Sequence, residues 1–429
     1  MKKKCDVPVI FNLFPRHFPF IHEWKSILPH VSKMKFNNVF INPFHETGFS
    51  GSLYSVKNYY RLNPLFLKPD EDPSAIEPLV DFIKSCHDNN LDLIMDLVVN
   101  HTAIDSDLIK QYPQWYKYDN KGKIMNPFAI DPANPSNVTV WGDLAIIDNE
   151  NSSRKNELWK YWDDLISFYQ NLGIYGFRCD AAYQVPAALW KYLIPAAKKR
   201  NGSTLFYAET LGCTLAQIEA LADVGFDYLF NSSKWWNFDQ PWALEQHEQN
   251  RVIAPSISFA ESHDTERLAS EKPGTIEVQK CRYAFASLFS RGLMMTMGYE
   301  YGVTVKMDVV NGNPRHATRG QWDLSDWIAK INELKCTTPV LGEEGSWHPL
   351  CDYNLPYLFL KKSSNAGKPP VFVCINKRMD KITMVEEWMI PPEVKTSKKV
   401  YSLLGDPIEA QEMPHAFELD PADVVLFTR

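Results

Sequence analysis

The chain has 429 residues, too many for one compact core, so a large domain with a smaller companion is expected. Hydrophobic residues make up 45% and charged residues 23%, the proportions of an ordinary globular protein. The net charge of −7, with no long run of one sign, gives no electrostatic footprint for nucleic acid or an acidic membrane, and no apolar stretch is long enough to span one.

The start, Met1-Lys2-Lys3-Lys4, has the charge of a secretory signal. The run at 7–13 that follows is short, contains Pro8 and Asn12, and lacks a small-residue cleavage site, so it reads as a first strand. Further apolar runs lie at 38–42, 91–99, 176–182, 204–209, 226–230, 256–261 and 293–297. Continuous apolar runs indicate strands buried on both faces, as in a parallel sheet covered by helices. Amphipathic stretches at 22–34, 74–89, 153–172, 186–199, 216–224, 277–290 and 325–334 predict those helices. Eight such repeats predict a (β/α)8 TIM barrel over residues 1–342. A doubly wound sheet also alternates, but no GxGxxG follows the first strand.

One connection is long. Residues 102–150, after the third strand, hold Pro113, Pro127, Pro132 and Pro135, and a long insert in a compact domain is usually functional. From about 343 the pattern changes to short alternating segments near 357–360, 371–375, 399–403 and 424–427. These predict a small C-terminal antiparallel β-sandwich over 343–429. The eight cysteines form no CxxC pair. They read as free thiols in a reducing compartment, and a cytoplasmic location is expected.

In such a barrel the active site collects at the carboxyl ends of the strands. The third strand ends Asp96-Leu97-Val98-Val99-Asn100-His101, and the fourth runs Gly176-Phe177-Arg178-Cys179-Asp180. The fifth ends at Glu209, and the seventh is followed by Ser262-His263-Asp264. Residues two apart on a strand share a face, so Arg178 and Asp180 point together into the barrel mouth. A guanidinium there holds a carboxylate ionised and oriented, as a nucleophile requires. Three converging carboxylates suit retaining glycoside hydrolysis: one attacks the anomeric carbon, and one, kept protonated by its neighbours' charge, donates to the leaving oxygen. The third stabilises the cationic transition state. A divalent-metal site is the alternative use of clustered carboxylates, and Arg178 and His101 beside them argue against it.

These segments resemble the α-amylase family, glycoside hydrolase family 13. The ordered set D-x-x-x-N-H, G-x-R-x-D, a strand-ending glutamate and H-D carries the resemblance, with Gly51-Ser52-Leu53-Tyr54 and Trp141-Gly142-Asp143-Leu144 beside it. It spans roughly residues 8–335, makes the insert a reduced domain B, and suits the β-rich tail. The resemblance implies Asp180 as nucleophile, Glu209 as general acid/base and Asp264 as transition-state stabiliser. It implies Arg178, His101 and His263 around the cleaved subsite, and Tyr54 stacking under its sugar. Asp96 is implied as a structural member of the rim. Asn100 matches a calcium ligand of many relatives, so a structural calcium is possible, and the chemistry itself requires no cofactor. Tyr183 stands where many amylases carry lysine, and an aromatic face there is expected to bind a sugar beyond the cleavage point. Ser52 and Asn58 also depart from the family pattern.

A narrower resemblance, in 185–194 and Met297-Gly298-Tyr299-Glu300, is to the maltosyltransferases. Ala181 stands where the maltose-1-phosphate enzymes place asparagine, and the stretch Arg315-His316-Ala317-Thr318-Arg319-Gly320 has no clear match to their phosphate pair. The expected activity is therefore hydrolysis of α-1,4-glucans or maltooligosaccharides. Glucan transfer is the first alternative, and a catalytically inactive glucan-binding scaffold the second. Trp235, Trp236 and Trp242 after the sixth strand are candidate acceptor-site platforms.

Overall fold

The computed structural model describes residues 5–131, 134–317, 320–405 and 408–429. Met1 to Lys4, Pro132, Thr318 and Arg319 lie outside the described residues. Eight parallel strands close a barrel in chain order: β1 (Val9–Leu13), β2 (Asn38–Ile41), β3 (Asp92–Leu97), β4 (Gly176–Cys179), β5 (Leu205–Glu209), β6 (Tyr228–Phe230), β7 (Ser256–Phe259) and β8 (Gly292–Thr296). β1 closes the ring by pairing with β2 through Ile10↔Asn38 and with β8 through Val9↔Leu293.

The period of two sorts each strand's side chains. Val9, Phe11, Val39, Ile41, Phe177 and Cys179 face outward into the main core beneath the helices. Ile10, Phe40, Ile94, Tyr207, Tyr228, Ile257 and Met294 fill the interior as a separate cluster. Each fully buried large side chain contributes about 1.5–3 kcal/mol, so both layers drive closure. Gly176 makes room inside: a Cβ there would lie 3.0 Å from the Leu205 carbonyl and 3.1 Å from the Tyr207 ring.

The covering helices follow the apolar periodicity, with local corrections. The helix expected over 22–34 is split into Ile21–Trp24, a 3-10 turn at Lys25–Ile27, and Leu28–Lys33. Pro29 sits in the first turn of the last piece, where its missing N–H costs nothing. The one expected over 216–224 is only Leu215–Glu219. Asp223 and Gly225, at φ 57° and 101°, end helical geometry beyond it. A helix at Trp242–Asn250 was not apparent from sequence, because its polar residues blur the period.

The insert folds as two antiparallel pairs. His101–Ala103 pairs with Leu144–Ile146, and Phe128–Asp131 with Asn134–Val140. The C-terminal part is antiparallel: a five-stranded sheet in the order Trp347–Pro349, Tyr357–Lys362, Val371–Asn376, Val424–Thr428, Lys399–Ser402, with a two-stranded sheet of Thr383–Val385 and Phe417–Leu419. One face of the large sheet joins the barrel's core, and the other buries Phe359, Phe372, Cys374 and Phe427 in its own cluster.

The cysteines correct one expectation. Cys5 and Cys336 form a disulfide, with Cα atoms 5.3 Å apart, while Cys86, Cys179, Cys213, Cys281, Cys351 and Cys374 are free. Only the fold brings residues 331 positions apart into bonding range, so spacing held no signal for the pair. The pairing removes the all-thiol premise of the reducing-compartment expectation. Among the described residues no helix is long and apolar enough to cross a membrane.

Candidate active site

The carboxyl ends of β3, β4, β5 and β7 deliver one connected polar group to the barrel mouth. At its centre is Arg178, 4% exposed. Its Nη1 donates to Asp180 Oδ1 at 2.8 Å and to Asp96 Oδ1 at 2.9 Å. Its Nη2 stands 3.7 Å from Glu209 Oε2. Burial opposes the guanidinium's charge, but Asp96 first, and then its other acidic neighbours, hold it fully protonated. The strand period therefore placed Arg178 beside Asp180 as expected.

Asp180 has its own N–H bonded to the Leu97 carbonyl at 3.1 Å. The next residue, Ala181, adopts the left-handed conformation at φ 44° and ψ 43°. That turn aims the Ala181 N–H at Glu209 Oε2, 2.8 Å away. Such a conformation is costly for a residue with a Cβ. Here it joins the ends of β4 and β5 directly. No residue type signals this contact in the sequence, because a backbone group makes it.

Glu209 and Asp264 sit in different surroundings. The Glu209 side chain is 18% exposed and that of Asp264 50%. Burial pushes the Glu209 carboxyl up to about 8, with Arg178 opposing and the charges of Asp180 and Asp264 adding to the rise. The sequence reading credited the neighbours' charge. Burial comes first, because desolvation penalises the carboxylate more than its neighbours repel it. A general acid of this kind is protonated below pH 8 and loses its proton above. The kcat/KM profile on a maltooligosaccharide is expected to fall on its basic side with a midpoint near pH 8. Glu209→Gln should remove that limb from whatever activity remains.

The aromatic side of the mouth is equally tied. The Tyr54 hydroxyl donates to Asp96 Oδ2 at 2.6 Å and lies 2.6 Å from His263 Nε2. Its single proton goes to Asp96, so His263 Nε2–H is the donor to Tyr54. The two rings stack at 5.6 Å and 5°. His263 Nε2 is also 3.1 Å from Asp264 Oδ2. Asn42 Nδ2 donates to the Tyr54 oxygen at 3.0 Å, a contact not read from sequence. His101 is buried, with neither ring nitrogen bonded among the described residues. Burial lowers its pKa, with Asp180 pulling it back up, so the ring is neutral near pH 7. Phe40, Arg178, Glu209, Leu211, His263 and Asp264 line one small cavity at the floor of this group.

The loop with Tyr54 is held from across the barrel. Leu53 N–H donates to the Val309 carbonyl at 3.1 Å, and Arg16 bonds both Val309 and Gly51 carbonyls. Tyr183 is half-buried, and its oxygen accepts from Gln184 Nε2 at 3.3 Å. Burial raises its hydroxyl pKa, and the Glu209 charge adds to the rise. Of the three tryptophans, Trp236 is fully buried against Phe238 and Phe285. Trp242 opens the helix Trp242–Asn250, and Trp235 alone is largely exposed.

Asn100 does not stand in a cation shell. Its Nδ2 donates to Gln184 Oε1 at 3.0 Å. Among the described residues no group of three or more His, Cys, Asp or Glu is placed to hold a metal ion. Calcium takes roughly six to eight oxygen ligands, carboxylates prominent among them, and the residues around Asn100 do not fit that set.

Comparison with known proteins agrees with this geometry. Residues 7–131 match a family model described as the glucanotransferase domain of glycogen debranching enzyme. The chain is 26% identical over 358 residues to an α-1,4-glucan:maltose-1-phosphate maltosyltransferase of Burkholderia pseudomallei, covering 81% of this chain and 30% of that protein. To the protein so named in Myxococcus xanthus it is 22% identical over 422 residues, covering 87% of this chain and 60% of that one. The chain thus spans between about a third and three-fifths of these relatives. A crystal structure of an α-amylase from Lactobacillus plantarum superposes with a TM-score of 0.77 at 17% identity, covering 98% of this chain and 99% of that one. By its barrel, its matched sequence and the ordered residues at its strand ends, the chain is an α-amylase-family protein with similarity to the maltosyltransferases.

Proposed function

We propose that the chain is a retaining α-glucan-active enzyme that opens α-1,4-glucosidic bonds through a covalent glycosyl-enzyme on Asp180. The observation that carries this reading is the Arg178 node: one guanidinium bonds Asp180 and reaches toward Glu209, two carboxyl groups with opposite protonation requirements. Asp180, bonded to Arg178, attacks the anomeric carbon. Glu209, buried and protonated, gives its proton to the departing oxygen. The resulting Glu209 carboxylate then takes a proton from the incoming hydroxyl, of water or of a sugar. Asp264 and His263 hold hydroxyls of the sugar in the cleaved subsite, and Tyr54 offers its ring face.

Transfer to a sugar acceptor is the second reading, favoured by the printed names of the sequence relatives and of the matching domain. Both readings share the first half-reaction and differ in what resolves the intermediate. Incubation with maltoheptaose separates them. Shorter products alone indicate hydrolysis, and longer oligomers beside shorter ones indicate glucan transfer. Maltose-1-phosphate formed only when phosphate is added indicates a phosphate acceptor. Bound maltoheptaose with no product under any of these conditions would overturn the enzymatic reading in favour of a binding scaffold.

A further inference from the structure

The loops after β1 and β8 enclose a second cleft of about 750 Å³, whose lining shares no residue with the carboxylate cavity. Phe18, Tyr301 and Trp322 give it aromatic walls, and His17, Glu23 and Glu300 give it polar ones. His17 and Glu300 are 4% and 0% exposed. Yet His17 Nδ1 and Nε2, Glu300 Oε1 and Trp322 Nε1 have no hydrogen-bond partner among the described residues. Buried polar groups left unpaired are costly, and native proteins pair nearly all of them. Four such atoms gathered around one cleft point to partners supplied from outside the chain.

The cleft is built, not incidental. Glu300 Oε2 accepts the Gly298 N–H at 2.8 Å, which fixes the carboxylate and leaves Oε1 unused. His30 Nε2 stands 3.7 Å from that oxygen, beyond bonding distance. Trp322 packs against Gly302, where a Cβ would come within 2.3 Å of its ring. No lysine or arginine lines the cleft among the described residues. His17 is held neutral, at about 3, by burial and then by Arg267 and His316.

Flat aromatic walls with acceptors and an indole N–H, and no described cation, match a ring with one apolar face and a rim of hydroxyl groups. We propose that this cleft binds a neutral sugar unit of an α-glucan chain, at a site separate from the carboxylates. The sugar class follows from the cleft itself, and α-glucan as its source rests on the proposed function. The cleft's loop also reaches the other site: Val309, eight residues before Ala317 on the cleft wall, accepts the Leu53 N–H beside Tyr54. A chain held here is tethered near the barrel mouth.

The test is calorimetric titration of the non-turning Asp180→Asn protein with maltotriose, with Trp322→Ala and Ala317→Leu added singly. Two sites per chain are expected, and each added substitution should leave one, weakening the second at least about tenfold. Ala317→Leu fills the cleft without removing a wall, so it decides the matter if Trp322→Ala does not fold. In an otherwise wild-type chain both substitutions should leave turnover of maltotriose at saturating substrate unchanged. One site per chain before and after substitution, with wild-type turnover intact, overturns the cleft and leaves the proposed function standing. A site lost on substitution in a chain that never turns over glucan supports the cleft and sinks the enzymatic reading. Neither binding nor turnover sinks both.

Discussion

Glu209→Gln is expected to cut turnover of maltooligosaccharides by about 10²–10⁴-fold, the usual worth of a general acid. The loss should be smaller on maltosyl fluoride, because fluoride departs with little need of a proton. Asp180→Asn should abolish turnover of both substrates, since it removes the nucleophile and not the acid. Folding should survive both changes. Glu209 has its carboxyl raised from an ordinary 4.5 to about 8 in the folded chain. The stability associated with its protonated form is fully present below 4.5 and is lost as pH rises through 8. The thermal midpoint of Glu209→Gln relative to wild type should therefore climb between pH 5 and pH 9. Full turnover by either variant would refute the assignment of roles. A midpoint difference flat in pH would refute the buried, protonated state of Glu209.

Arg178→Met is expected to be among the most destabilising single changes in the chain. The guanidinium is the shared partner of Asp96 and Asp180, and both the arginine and Asp96 are almost wholly buried. Removing one partner of a buried ion pair leaves an uncompensated charge and costs about 3–5 kcal/mol. Here two carboxylates lose their partner at once. Denaturant unfolding should show this loss at pH 7 and a smaller one at pH 5, because acid neutralises the orphaned carboxylates. Arg178→Lys should recover only part of it, since a single ammonium cannot bond Asp96 and Asp180 while reaching toward Glu209. Activity should fall with both, as Asp180 loses its charged neighbour. A loss of under about 1 kcal/mol for Arg178→Met would show that the node is not a stabilising centre.

Much of this protein was readable from residue order alone. The eight apolar runs became the eight barrel strands because strands buried on both faces must be apolar throughout, a constraint local to each run. Arg178 and Asp180 share a face because a strand's period is two, which is also a local rule. Strand ends locate the candidate site because a barrel gathers its carboxyl ends on one rim.

What the sequence left open depends on contacts between distant segments. The Cys5–Cys336 bond, the Ala181 N–H on Glu209, the Leu53–Val309 clamp and the cleft of His17, Glu300 and Trp322 all join residues that the chain keeps apart or use backbone groups common to every residue. The carboxyl of Glu209 shows the division most clearly. Its presence at a strand end was legible in the sequence. Its protonation was not, because desolvation is set by how much protein surrounds a group, and only the folded barrel determines that.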